Sequence, residues 1–112
     1  MCIFCKIVAG EIPSAKVYED DYCYAFKDIN PQAPVHVLLI PKAHIESINC
    51  INDDNAEIIA NVMKAIPKIA SSVPELKEGY RVISNCGKNA GQTVFHLHFH
   101  ILGGREMGEK IV

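Results

Sequence analysis

Phe95-His96-Leu97-His98-Phe99-His100-Ile101-Leu102 places three of the chain's five histidines at every second position. On a β-strand, successive side chains point to opposite faces, so this spacing sets His96, His98 and His100 on one face and Leu97, Phe99 and Ile101 on the other. A helix would scatter the same imidazoles around its axis. Phe, Leu and Ile favour strands, and Gly103-Gly104 ends the run. One face is therefore core, and the other is a row of imidazoles about 6 to 7 Å apart. Each ring needs partners for its nitrogens, and so many polar rings on one face point to chemistry.

Around this stretch the composition is that of an ordinary globular chain. The 112 residues suit a single domain, 1–112, that buries roughly 65% of the surface its unfolded form exposes. Hydrophobic residues make up 49% and charged residues 21%, which argues against disorder. A net charge of -2 offers no basic footprint for a nucleic-acid polymer, so a phosphate ligand would be small. The run Val37 to Ile40 is too short to cross a bilayer, and Lys6 interrupts the N-terminal apolar residues, so neither membrane span nor signal peptide is expected and the cytoplasm is the default location. Five cysteines without a secretory signal read as thiols or metal ligands rather than a disulfide framework.

Taken in order, Ile3 to Ala9 has helical spacing and ends at Gly10. Lys16 to Glu19 and Tyr22 to Lys27 form two strands about a tight turn at Asp20-Asp21. Asn30-Pro31-Gln32-Ala33-Pro34 is a loop. Val35 to Ile40, apolar on both faces except for His36, is a central strand closed by Pro41. Asp54 with Glu57 has the form of a capping box, ahead of a long helix carrying Ile58, Ile59, Val62, Met63, Ile66, Ile69, Ala70 and Val73 on one stripe, with a kink expected at Pro67. Tyr80 to Asn85 is a fourth strand, and a turn-rich loop from Cys86 to Gln92 leads to the histidine strand. The expectation is an α+β fold: a five-stranded antiparallel sheet with one long helix on one face and a short N-terminal helix.

Two kinds of chemistry use several imidazoles on one face. Neutral imidazoles can hold a catalytic zinc with an open position. Alternatively, one imidazole attacks phosphorus while the others orient it, a task suited to a group whose ordinary pKa near 6.5 leaves a neutral nucleophile. Asn85, Gln92 and Thr93 are uncharged donors, and Gly87 and Gly91 let backbone N–H groups approach an anion, which zinc alone would not require.

The segment Gly91-Gln92-Thr93-Val94-Phe95-His96-Leu97-His98-Phe99-His100-Ile101-Leu102-Gly103-Gly104-Arg105 resembles the signature of the histidine-triad (HIT) family. Ala25 to His36, Ile40-Pro41-Lys42-Ala43-His44, Ile3 to Ile7 and Glu11-Ile12-Pro13 are similar to the nucleotide-binding half of its Hint-like branch, bacterial type with an N-terminal Cys-x-x-Cys. The resemblance implies a HIT-like domain acting as a purine nucleoside phosphoramidase-like hydrolase, cleaving adenosine monophosphate from an amine through a covalent nucleotidyl-histidine. It implies His98 as nucleophile, His100 on a phosphate oxygen or the leaving group, Thr93 as proton relay and His36 in support. Asn85, Gln92 and the backbone at Thr93 and Val94 would hold phosphate oxygens, and Asp28 the ribose hydroxyls. Phe4, Ile7, Ile12, Phe26 and Ile29 correspond to the slot for the base. Cys2 and Cys5 have the spacing of half a tetrahedral zinc site, and the resemblance supplies His44 and His96 as the other ligands of a structural zinc. It also implies a homodimer. Dinucleoside polyphosphate hydrolysis, nucleotide binding with incidental catalysis, and a zinc hydrolase using the triad as ligands are the competing readings. Gly108 to Val112 holds no tryptophan, unlike the aromatic tails that shape the substrate side of the pocket in some relatives, so the resemblance leaves the identity of the leaving amine open.

Overall fold

The computed structural model describes residues 2–112. A short helix α1 (Ile3–Val8) precedes strands β1 (Lys16–Glu19), β2 (Cys23–Lys27) and β3 (Val35–Pro41). Helix α2 (Ala56–Ser72) leads to β4 (Tyr80–Ile83) and β5 (Phe99–Gly103). The strands form one antiparallel sheet in the order β1-β2-β3-β5-β4, so β5 inserts between the central strand and the edge strand that α2 delivers. As the apolar run suggests, every residue of β3 is buried.

Alternation along the strands divides the interior in two. Ala25, Val37, Leu39, Phe99 and Ile101 point toward α2 and meet its stripe of Val62, Ala65 and Ile69. On the opposite face Tyr24, Phe26, Leu38 and Ile40 pack with Phe4 and Ile7 of α1. A helix of six residues has no stability of its own in water, so α1 depends on what it docks against. Its chain turns away at Gly10, where φ is +78°, a conformation glycine adopts without strain.

Two expectations need correction. The strand carrying the histidines begins at Phe99, not Phe95, and Phe95 is 61% exposed. The ladder stops because its partners are taken: Leu97 N–H donates to the Ile45 carbonyl, the His96 ring engages the Pro41 carbonyl, and Pro41 has no N–H to offer. Even so, Leu97 stays on the α2 side with Phe99 and Ile101, so the division into two faces holds through the irregular segment. The Asp54 capping box is also absent. Asn52 Oδ1 accepts from the amides of Asp54 and Asn55, while the Asn55 side chain bonds Asn52 N–H and the Cys50 carbonyl. This mutual Asn turn delays the helix, which takes Asn55 as its N-cap residue and runs through Pro67 to Ser72. The remaining strand ends shift by one or two residues.

Candidate active site and metal centre

The face carrying α1 also carries the imidazoles. Register aligns Phe26, Leu38, His100 and Ile83 as one row across four strands, with His36 and Leu102 paired in the next row. Phe4 of α1 stands edge-on to the His98 ring at 5.2 Å and to Phe26 at 5.7 Å. His98 in turn lies 5.3 Å from His100, and His100 lies 5.1 Å from His36.

Hydrogen-bond partners assign the tautomers. His98 Nδ1 lies 2.7 Å from the His96 carbonyl, an acceptor only, so Nδ1 carries the proton and the Nε2 lone pair is free. The amide of Gln32 donates to His36 Nδ1 at 3.1 Å, so the proton of His36 sits on Nε2. That Nε2–H donates to His100 Nδ1 at 2.9 Å, which leaves the His100 proton on its Nε2. The chain of bonds thus prepares one nucleophilic nitrogen beside one N–H donor. Asp28 Oδ2 lies 3.4 Å from His36 Nε2, while its Oδ1 accepts the Asn30 amide at 2.8 Å.

Burial pushes His36 and His100 below the ordinary imidazole value. For His36 the Asp28 carboxylate opposes the shift; for His100 the neighbouring His98 and His36 reinforce it and Asp28 opposes it. The unfolded chain therefore binds more protons than the native one as pH falls below about 6.5. Stability from this pair is fully present above that value and declines as pH drops toward the native values. Imidazole titrations by NMR are expected to give midpoints below 6.5 for both rings, lower still in Asp28→Asn, with a lower denaturant midpoint at pH 5 than at pH 7. Ordinary midpoints would refute the burial argument.

Of the other residues named from the sequence, Asn85 lines a cavity of about 280 Å³ beside His100 together with Gln32, His36, Ile83 and Leu102. Thr93 is exposed, and Val94 is partly buried against the α1-side core. Gln92 is buried but committed to backbone: its Nε2 donates to the carbonyls of Glu46 and Val94, and its Oε1 accepts the Gly87 amide. These bonds tie the loop to the turn after β3. Phe4, Ile7 and Phe26 are buried together with Ile12 packed against them, whereas Ile29 is 92% exposed and stands apart from that cluster. Gln32, Ile83, Leu102 and Ser84, whose hydroxyl donates to the His98 carbonyl, were not singled out from the sequence. The period-two pattern of β4 could have placed Ile83 beside His100; nothing in the sequence reveals the part played by the Gln32 amide.

Beside the triad the structure gathers Cys2, Cys5, His44 and His96. Their four S···N separations are 3.5, 3.3, 3.3 and 3.5 Å, from each sulfur to Nδ1 of each imidazole. A tetrahedral zinc with Zn–S of about 2.3 Å and Zn–N of about 2.0 Å has S···N edges of about 3.5 Å, so the four residues fit the ion. The His96 tautomer also fits. Its Nε2 lies 2.8 Å from the Pro41 carbonyl and must donate, which turns the Nδ1 lone pair toward the sulfurs. Burial, with the Cys2 thiol next to it, pushes Cys5 upward, so a cation is the partner that would hold two thiolates there. Asp28, His36 and His100 also lie within ligand range of one another, but the N–H···N bond between the two imidazoles accounts for that grouping.

An antiparallel sheet that strings consecutive imidazoles out from its central strands, with a short helix packed on an apolar cluster next to them, defines the class of histidine-triad proteins. The HIT domain profile matches residues 9–107, and the chain belongs to the HIT family. It is 42% identical over 109 residues to the purine nucleoside phosphoramidase of Escherichia coli K12, covering 97% of this chain and 92% of the relative. It is 48% identical over 102 residues to protein HitA of Neisseria gonorrhoeae, covering 91% and 94%. Among solved structures, a HIT family hydrolase from Clostridium thermocellum superposes with a TM-score of 0.95 at 55% identity, covering 99% of this chain and 96% of that one.

Proposed function

We propose that the protein is a hydrolase of purine nucleoside phosphoramidates that works through a nucleotidyl group on His98. The observation that carries this is the tautomer chain: His98 presents a free Nε2 lone pair while His100 presents an N–H. In the first step the P–Nε2 bond forms as the P–N bond to the amine breaks. The amine leaves with the electron pair and a proton drawn from solvent through the Thr93 hydroxyl. His100 Nε2–H and the Asn85 amide donate to the phosphate oxygens as charge shifts onto them. Water then attacks phosphorus, the P–Nε2 bond returns its electrons to His98, and the proton goes back to solvent. Phe4, Ile7, Ile12 and Phe26 form the slot for the base, and Asp28, at the end of β2, holds the ribose hydroxyls. The likeness to the E. coli phosphoramidase supports the choice of substrate. Rapid-quench mass spectrometry with adenosine 5′-phosphoramidate is expected to show a nucleotidyl adduct that maps to His98. Fast turnover without an adduct would replace covalent catalysis by direct attack of water.

The four-residue group beside the triad is a structural zinc site in this reading, holding α1 to the sheet. A homodimer follows from the family resemblance, and β4 supports it: the outer edge of this strand has no partner among the described residues, and Tyr80 and Val82 on it are 40% and 39% exposed. Sedimentation velocity is expected to return twice the mass of one chain; a monomer at micromolar concentration would refute it. No helix among the described residues is long and apolar enough to cross a membrane.

A further inference from the structure

His98 lies just outside the regular part of the sheet. On the β3 side the β5 ladder reaches back to the pair of Leu39 with Phe99, and on the β4 side it stops at Ile83 with His100, two residues short of His98. The segment leading into β5 is held instead by scattered groups: the Ile45 carbonyl takes the Leu97 amide, and the Pro41 carbonyl takes the His96 ring. At His98 the hold on the backbone comes from a side chain. The Ser84 hydroxyl, one residue past the end of β4, donates to the His98 carbonyl at 2.8 Å. We infer that Ser84 is a positioning residue for the nucleophile: its hydroxyl carries the pairing of β4 with β5 one step past the last ladder pair and so fixes the direction of His98 Nε2. This rests on the reading of His98 as nucleophile given above.

The other contacts of His98 orient its ring but not the peptide that carries it. Nδ1 bonds the His96 carbonyl at 2.7 Å, and the Phe4 ring stands edge-on at 5.2 Å. The acceptor in the first of these belongs to the same irregular segment, so ring and acceptor can drift together. Ser84 ties that segment to β4, the strand that pairs with His100 through Ile83, and the nucleophilic nitrogen and the N–H donor beside it are thereby referenced to one strand. The hydroxyl acts through His98 and not on substrate. Ile83 and Asn85, on either side of Ser84 in sequence, line the cavity beside His100, while Ser84 does not. Without the hydroxyl, a backbone carbonyl in a half-buried setting loses its donor and the peptide is free to tilt toward another. A displacement of about 1 Å at a reacting atom costs on the order of 10²-fold in rate, so a smaller tilt at His98 is expected to cost about tenfold.

The test compares Ser84→Thr with Ser84→Val, two side chains of nearly the same shape of which only the first keeps the donor. Single-turnover formation of the His98 adduct from adenosine 5′-phosphoramidate is followed by rapid-quench mass spectrometry over a range of substrate concentrations. At saturating substrate, Ser84→Val is expected to form the adduct about tenfold or more slowly than Ser84→Thr, while the half-saturating concentrations of the two agree within about twofold. That split marks a misaimed nucleophile, because the base slot of Phe4, Ile7, Ile12 and Phe26 is untouched. Circular dichroism checks that each variant folds, and Ser84→Ala, which removes the donor without adding bulk, replaces Val if Val does not fold. Equal rates in the Thr and donor-free variants would overturn the role of Ser84 and leave the covalent reading intact, even if their melting temperatures differ. A loss confined to the half-saturating concentration would overturn it as well. Wild type that turns over without an adduct, or does not turn over, would overturn the reading of His98 and this inference with it.

Discussion

His98→Ala is expected to lower the rate of phosphoramidate hydrolysis by on the order of 10⁴-fold, about 5.5 kcal/mol of barrier, and to abolish the nucleotidyl adduct. The size of the effect follows from what is lost. The Nε2 lone pair is the only nucleophile in the proposed first step, and the bond from Nδ1 to the His96 carbonyl aims it. Removal leaves water to attack a phosphorus whose surroundings are otherwise intact. His100→Ala should cost less, because His100 Nε2–H supplies a hydrogen bond to the transition state rather than the bond that forms, and its adduct should still build up. The fold should tolerate both changes: His98 and His100 lie on the α1 side of the sheet, away from the α2 core of Val62, Ala65 and Ile69. Near wild-type turnover by His98→Ala would rule out the covalent mechanism, and a variant that retained the adduct would assign it to another residue.

Much of this arrangement was legible because it rests on side-chain period. Alternation of Leu97, Phe99 and Ile101 with the histidines forces two faces, and the unbroken apolar run of Val35 to Ile40 forces a central strand. The start of β5 was not legible. It depends on the Ile45 and Pro41 carbonyls capturing Leu97 N–H and the His96 ring, and those partners are about fifty residues away in sequence. The start of α2 failed for a local reason of the same kind, since Asp54 and Glu57 have the right spacing but Asn52 and Asn55 bind the same backbone first. At the site, residue types announced the imidazoles, while their tautomers come from backbone groups such as the Gln32 amide that no pattern of side chains encodes. Ile29, assigned to the base slot by resemblance, is exposed in the fold, and no pattern of side chains encodes that exposure.

Replacing Cys2 and Cys5 together by serine is expected to remove one bound zinc per chain and to lower the melting temperature by about 10 °C or more, a loss of roughly 2 kcal/mol for a domain of this size. The reason lies in how little else holds α1. Its six residues cannot keep helical structure alone, and their attachment is the burial of Phe4 and Ile7 plus the four-residue group. That group ties three distant segments, α1, the turn after β3 at His44 and the approach to β5 at His96, so an ion there removes a large loop entropy from the unfolded chain. A chelator should lower the melting temperature of wild type and leave the double serine variant unmoved. Activity should follow through binding: Phe4, between Cys2 and Cys5 in sequence, stands against both His98 and Phe26, so a loosened α1 opens the base slot and raises KM before it slows the chemical step. A zinc held by the triad would behave in the opposite way, with chelation abolishing kcat while the melting temperature stayed put. Purified protein without zinc, or a serine variant that melts with wild type, would reduce Cys2 and Cys5 to small packed side chains of the N-terminal helix.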